Sequence, residues 1–153
     1  MDFDSPTCIG TVYPWHCDFM GHMNVMHYVG RFDEATWQFF GRLGLTPEWL
    51  LANHRGMAAV EQNLRYHREL RVGALFEIRT RLLAASAKSI RFVHEMRLAG
   101  GDTVAANCEL TGVHIDTVAR RAVPFADDVA RRLASHLPKD RSAGPDAGVR
   151  PGA

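Results

Sequence analysis

The hydrophobic and polar residues of the chain follow a helical period in one long segment and a strand period in most of the rest. From Val25 to Leu43 apolar residues return every three or four positions, as in an α-helix that buries one face. Asn24 is a favourable N-cap for this segment, and Gly44 suits the left-handed conformation that often follows a last helical turn. The predicted apolar face consists of Val25, Tyr28, Val29, Phe32, Ala35, Thr36, Phe39, Phe40 and Leu43. It is broad, so we expect other elements to enclose most of the helix.

Period-two alternation predicts strands on both sides of this helix. A short apolar run at 9–13 comes before it, and four segments with strand character follow it, at 57–70, 74–83, 89–98 and 103–115. Short connectors separate the last three segments, as in hairpins. The segment 125–137 begins with an acidic turn and predicts a short final helix.

This order of elements predicts an α+β hotdog fold, in which one antiparallel sheet wraps around one long central helix. The four strands after the helix are expected to form a meander. The sheet face turned away from the helix carries many arginines together with some apolar residues. Such a face is expected to be partly covered in an oligomer, so we expect a homodimer or a homotetramer.

Composition places the chain among ordinary globular domains. It has 153 residues, of which 46% are hydrophobic and 23% charged, and its formal net charge is +1. This balance gives no field that favours nucleic acid or an anionic membrane, and no apolar run approaches the roughly 20 residues of a membrane span. We expect one domain at 1–137 and a disordered tail at 138–153, where glycine, proline and charge replace the periodic pattern.

The N-terminus and the cysteines indicate the cellular compartment of the protein. The first ten residues, "MDFDSPTCIG", begin acidic and lack the apolar core of a signal peptide. Three scattered cysteines (Cys8, Cys17 and Cys108) argue against a disulfide framework and for a reducing environment. We therefore expect a cytoplasmic protein.

The segment "WHCDFMGHMNV" before the helix concentrates side chains that could carry chemistry. Its candidate metal ligands, with one more histidine just beyond it, are His16, Asp18, His22 and His27. No established ligand spacing links them, so the pattern does not favour a metal. Cys17 could be a nucleophile with a neighbouring histidine as base, but its apolar neighbours favour simple packing. No metal or organic cofactor is expected.

Asp18 lies seven residues before Val25, the first residue of the predicted helix. A helix start offers backbone N–H groups without intrahelical acceptors, together with the positive end of the helix dipole. A carboxylate beside such donors suits reaction at an acyl carbonyl, because it combines a nucleophile or base with an oxyanion hole. Alternatively, Asp18 only caps its own loop by accepting hydrogen bonds from nearby amides.

The same segment resembles the signature of the 4-hydroxybenzoyl-CoA thioesterase family of hotdog acyl-CoA thioesterases, which has the pattern D-x-D-x-x-G-H-x-N-N-x-x-Y. The likeness includes "GMAAVEQNLRYHREL", "KSIRFVHEM" and "RRAVPFADDVARRL", so it spans about residues 8–137. It implies that Asp18 is catalytic and that the backbone N–H of Val25 polarises the thioester carbonyl. Its implied substrate-binding set is Gly21, His22, Asn24 and Tyr28.

Two positions depart from the family pattern. Val25 replaces the second asparagine but keeps its N–H, so the implied oxyanion role is retained. His16 replaces the first aspartate and removes a negative charge near Asp18. The resemblance implies hydrolysis of an acyl- or aroyl-CoA to a free acid and CoA, with Asp18 as nucleophile or general base. In that scheme Asn24 orients the helix start and His22 braces the loop.

Two other functions stay open at this point. One is a non-catalytic acyl-CoA-binding hotdog protein, and the other is a hotdog dehydratase in which His22 and Asp18 move protons. The expected partner is an acyl-CoA, with no nucleic acid and no membrane. The pattern leaves the identity of the acyl group open.

Overall fold

The computed structural model describes residues 5–138, which form one sheet and three α-helices. In chain order the elements are β1 (Cys8–Thr11), α1 (Val25–Leu43), α2 (Pro47–Ala52), β2 (Arg55–Tyr66), β3 (Leu75–Ala85), β4 (Ser89–Leu98), β5 (Val104–Asp116), β6 (Arg121–Ala122) and α3 (Asp127–His136). A short 3₁₀ turn at Pro14–His16 lies between β1 and α1. Apart from Pro138, the predicted tail at 138–153 lies outside the described residues. Within the described part of the chain, no helix is long and apolar enough to cross a membrane.

The sheet is antiparallel and its strand order is β1-β3-β4-β5-β2, with β6 paired to β5. The predicted hotdog fold is confirmed, but the predicted four-strand meander is wrong. Strand β2 pairs along its length with β5, from Arg55 opposite Asp116 to Tyr66 opposite Ala106, and not with β3. Alternation specifies which face a side chain takes, and it does not specify which strand lies alongside. The segment 67–74 therefore has to cross from one edge of the sheet, past β5 and β4, to reach β3.

Helix α1 begins and ends where its capping residues predict. The Asn24 side chain accepts a hydrogen bond from the N–H of Met26, and Gly44 follows the helix with φ of 87°. The buried face of the helix is formed by Tyr28, Phe32, Ala35, Thr36, Phe39, Phe40 and Leu43. Burial of each larger apolar side chain contributes about 2–3 kcal/mol, so this face dominates the attachment of the helix to the sheet.

Two residues assigned to that face, Val25 and Val29, are instead 56% and 37% exposed. Both lie in the first turns of α1. A helical period gives the direction in which a side chain points, but not whether a partner layer extends as far as that turn. The start of α1 is therefore accessible from outside.

A buried histidine joins α1 to the middle of the sheet. The Thr36 hydroxyl donates to the Phe32 carbonyl at 2.9 Å, so it accepts from His94 Nε2 at 2.8 Å. The other ring nitrogen of His94, Nδ1, then accepts from the Thr80 hydroxyl at 2.7 Å. Burial lowers the pKa of His94 to about 3, so the ring is neutral and both nitrogens are satisfied.

Candidate active site

A tight turn before α1 holds Asp18 next to the start of the helix. Gly21 donates its N–H to the Asp18 carbonyl at 3.0 Å, and the N–H of Asp18 donates to the His22 carbonyl at 3.2 Å. Gly21 adopts φ of +81°, a conformation that glycine takes without strain. Cys17 and Met23 form a bridge across the base of the turn. The turn thus has a defined backbone, as its glycine predicts.

The Asp18 carboxylate accepts hydrogen bonds at both oxygens. Asn24 Nδ2 donates to Oδ2 at 2.8 Å, and the N–H of Met20 donates to Oδ1 at 2.9 Å. These two hydrogen bonds, that from Asn24 first, lower the pKa of Asp18 below its usual range. Asp18 is therefore ionised at neutral pH. The bond from Met20 is also the loop-capping contact of the alternative interpretation, so the geometry is compatible with loop capping and with a chemical role of Asp18.

Asn24 leaves one backbone donor available at the start of α1. Its side-chain Oδ1 accepts from the N–H of Met26 at 3.0 Å, and its carbonyl accepts from the N–H of His27 at 3.0 Å. Among the residues that the structure describes, the Val25 N–H makes no hydrogen bond. The first helical N–H is thus the free donor at the positive end of the helix dipole.

A cleft of about 350 Å³ opens beside this donor. One wall comes from the turn and from α1, and the other comes from the end of β2 and the residues after it. The lining residues are His22, Met23, Val25, Tyr28, Tyr66, His67, Arg68 and Glu69. The rings of Tyr28 and Tyr66 meet edge to face across the cleft, with centroids 5.2 Å apart.

The predicted site residues divide into two groups in the structure. His22, Val25 and Tyr28 line the cleft, whereas Asp18, Gly21 and Asn24 do not. Asp18 is connected to the cleft through Asn24, which holds both the carboxylate and the first turn of α1. A Cβ on Gly21 would meet no atom within 4 Å, so its contribution is backbone conformation.

The ring of His16, which stands in place of an aspartate, contacts residues other than Asp18. It is buried, its Nδ1 accepts from the N–H of Tyr13 at 3.0 Å, and its Nε2 lies 3.5 Å from Arg31. Burial first, and then the charge of Arg31, lower the pKa of His16. The ring also packs against His27, with centroids 4.9 Å apart. His16 therefore belongs to a packed surface cluster rather than to the cleft.

The structure also bears on the metal and thiol alternatives. Within residues 5–138, no group of three histidine, cysteine, aspartate or glutamate side chains is placed to hold a metal ion. Cys17 is half-buried and packs against the hydrophobic core. The geometry thus favours packing for Cys17, as its apolar neighbours predict.

The cleft contains four residues to which the sequence pattern assigned no chemistry: Tyr66, His67, Arg68 and Glu69. They lie more than forty positions after Asp18, at the end of β2 and in the segment that crosses to β3. The dense polar run "RYHRE" is their one local signal. This run becomes part of the site only because β2 pairs with β5 and so lies at the edge of the sheet. The alternation of polar and apolar residues does not specify that pairing.

Comparison with known proteins places the chain in a family. Residues 12–133 match the model of the thioesterase-like superfamily. The chain is 32% identical, over 78% of its length, to the L-carnitine dehydrogenase/betainyl-CoA thioesterase of Agrobacterium fabrum, of which it spans 24%. It is 28% identical to the betainyl-CoA thioesterase of Pseudomonas aeruginosa, over 80% of this chain and 77% of that protein.

The fold also matches solved structures. A hypothetical protein from Staphylococcus aureus, solved in complex with CoA, superposes with a TM-score of 0.81 at 19% identity, over 94% of both chains. At this identity the likeness concerns the fold alone. The narrower resemblance to the 4-hydroxybenzoyl-CoA thioesterase family stays a prediction. The family match and the antiparallel sheet around α1 agree, and the chain belongs to the thioesterase-like superfamily.

Proposed function

We propose that this protein is an acyl-CoA thioesterase that converts R–CO–S–CoA and water into R–COOH and CoA. One observation carries the proposal: Asn24 fixes an ionised carboxylate, Asp18, next to a helix start whose first N–H, on Val25, is free. Membership of the thioesterase-like superfamily supports it.

The two groups have complementary roles in this reaction. Asp18 either attacks the thioester carbon, which gives a mixed anhydride, or removes a proton from the attacking water. The Val25 N–H donates to the oxygen of the thioester carbonyl, on which negative charge develops in the transition state. Asn24 orients both groups, so the reacting geometry is set before substrate binds.

The cleft is suited to a small acyl group. Its volume, about 350 Å³, is near the lower end of the range for ligand sites, roughly 300–1,000 Å³. It therefore accepts the acyl group and the thioester, while the nucleotide part of CoA lies outside. The structural neighbour from Staphylococcus aureus was solved with CoA, and two relatives are named for betainyl-CoA. Short, aromatic and quaternary-ammonium acyl groups all belong in a substrate test.

We also propose that the protein works as a homodimer or homotetramer in the cytoplasm. Strand β2 is one edge of the sheet, and its outer residues, including Val60 at 61% exposure, are open. Two copies paired through this edge would cover it and close the open side of the cleft beside Tyr66. The cysteines of the described chain are all free thiols, as in a reducing compartment.

A thiol-release assay over a panel of acyl-CoA esters tests the function. The panel contains acetyl-, hexanoyl-, palmitoyl-, benzoyl-, 4-hydroxybenzoyl- and betainyl-CoA, and free CoA is measured with a thiol reagent. Release well above the buffer rate for at least one ester is expected. Binding of the esters without release indicates the non-catalytic alternative, and loss of water from a 3-hydroxyacyl-CoA indicates the dehydratase.

A further inference from the structure

The segment between β2 and β3 is attached to the turn that carries Asp18. The N–H of Met23 donates to the Leu70 carbonyl at 2.7 Å, and His22 Nε2 lies 3.5 Å from Glu69 Oε1. The side chain of Leu70 is buried in the core, which anchors this contact. Glu69 is thereby held at the cleft wall, facing His22.

We propose that Glu69 is a positioning residue that orients His22, and that His22 activates the hydrolytic water in the cleft. The proposal rests on the thioesterase function proposed above. A neutral imidazole carries one N–H, and Nε2 is the nitrogen that faces the Glu69 carboxylate. The separation of 3.5 Å lets the N–H on Nε2 point towards Glu69, and Nδ1 then keeps its lone pair and can accept a proton from water.

Two carboxylates lie near His22. Glu69 faces its ring, and the imidazole lies close enough to Asp18 to act on that carboxylate electrostatically, after the stronger effects of Asn24 and Met20.

Three cationic or basic side chains lie near this pair. Arg71 is 3.5 Å from the second oxygen of Glu69, and Arg68 lines the same cleft. His67 lines the same cleft, and its Nε2 lies 2.6 Å from the Asn107 amide oxygen. His22 differs from His67 in two ways: its Nε2 faces a carboxylate, and its own carbonyl accepts from the N–H of Asp18, so it belongs to the turn that carries the nucleophile.

Asp18 and His22 would act in separate steps, Asp18 as the nucleophile and His22 as the base. Asp18 attacks the thioester carbon, the C–S bond breaks, and CoA leaves as a thiolate with the acyl group on the aspartate. Water then attacks the acyl carbon and gives its proton to His22 Nδ1. The bond between the acyl carbon and the Asp18 oxygen breaks, which releases the acid and restores the carboxylate. The imidazolium finally returns its proton to the thiolate or to solvent, so atoms and charges balance.

Because Asp18 and His22 act in different steps, the loss of Glu69 should cause a specific kinetic defect. Loss of Glu69 slows the second step and leaves the first step intact. In Glu69→Gln, rapid mixing with an active ester should then release a burst of about one equivalent of thiol per site, followed by slow turnover. Acid release should lack the burst. A variant that is merely misfolded slows both products together and shows no such separation.

The control is Glu48→Gln, which changes an exposed glutamate in α2 in the same way. It should behave as wild type, and His22→Gln should reproduce the burst. If Glu69→Gln matches wild type, or if its thiol and acid appear together at a reduced rate, the positioning role is overturned while the thioesterase function stands. A wild-type protein inactive on every ester overturns both.

Discussion

Asn24 Nδ2 donates a 2.8 Å hydrogen bond to Asp18 Oδ2, while the same side chain caps α1 through the N–H of Met26. One amide thus connects the carboxylate to the start of the helix. The two tasks can be separated, because capping uses the oxygen of the amide and the contact with Asp18 uses its nitrogen.

Asn24→Asp should keep the cap and lose the donor. Asp and Asn are comparable N-caps, so the free energy of unfolding should change little, whereas Asn24→Ala should cost about 1 kcal/mol. The new carboxylate would remove the main cause of the lowered Asp18 pKa, so that pKa should rise. The acidic limb of the kcat/KM profile should therefore move to higher pH, and kcat at neutral pH should fall about 10- to 100-fold. An unchanged profile with a retained cap would contradict a role for this hydrogen bond.

Val25→Pro should remove the free N–H and leave the helix in place. Proline is well tolerated at the first helical position, where the N–H makes no intrahelical bond. Loss of an oxyanion-hole donor costs about 10²–10³ in kcat, and substrate binding should suffer less. Val25→Ala keeps the N–H and should remain near wild type. If both variants are equally active, the oxyanion donor lies elsewhere.

The bounds of α1 could be predicted from the sequence because capping is local. Asn24 and Gly44 act within one turn of the helix ends, so their identities carry the information. The same holds for the turn at Gly21 and for the proximity of Asp18 to the helix start. The wall of the cleft that the turn and α1 form is therefore predictable from neighbouring residues.

The opposite wall of the cleft depends on strand pairing, which is not local. Glu69 and Tyr66 reach the site because β2 pairs with β5 at the edge of the sheet. A meander, with β2 beside β3, has the same alternation of polar and apolar residues. Only contacts between distant segments distinguish the two arrangements. The pattern of polar and apolar residues along the chain therefore could not place Glu69 at the site.

The buried His94 should make stability depend on pH. Its folded pKa of about 3 lies below the ordinary 6.5, so the unfolded chain binds the proton more readily. The contribution of neutral His94 to the free energy of unfolding is therefore fully present above about pH 6.5 and is lost as the pH falls towards 3. Between pH 7 and pH 5 this loss amounts to about 2 kcal/mol.

Urea unfolding at both pH values measures the effect of this histidine. His94→Phe removes the titrating group and should show a smaller difference between pH 7 and pH 5, although it is less stable at pH 7 because Thr36 and Thr80 lose a partner. His16, whose pKa is also lowered, is common to both proteins and cancels in the comparison. An equal pH difference in the two proteins would show that His94 does not titrate on unfolding.

Light scattering should give a mass of at least twice the 17.1 kDa of the chain. Val60→Asp places a charge at the exposed β2 edge and should shift the protein towards the monomer. Ile9→Asp is the matched control, since Ile9 is 75% exposed on β1, the opposite edge of the sheet. If Ile9→Asp dissociates the oligomer and Val60→Asp does not, the copies pair through β1. A monomeric wild type with full activity would contradict the proposal that a second copy closes the cleft.

Thiol release by Asp18→Asn, measured on the best ester of the panel, tests the central claim most directly. The amide keeps the size of the side chain but is neither a nucleophile nor a base, so kcat should fall by several orders of magnitude. The far-ultraviolet circular dichroism spectrum and the unfolding midpoint, measured alongside, should remain close to wild type, because the side chain lies in an accessible turn. A folded Asp18→Asn protein that retains more than about a tenth of the wild-type rate would show that Asp18 only caps its loop.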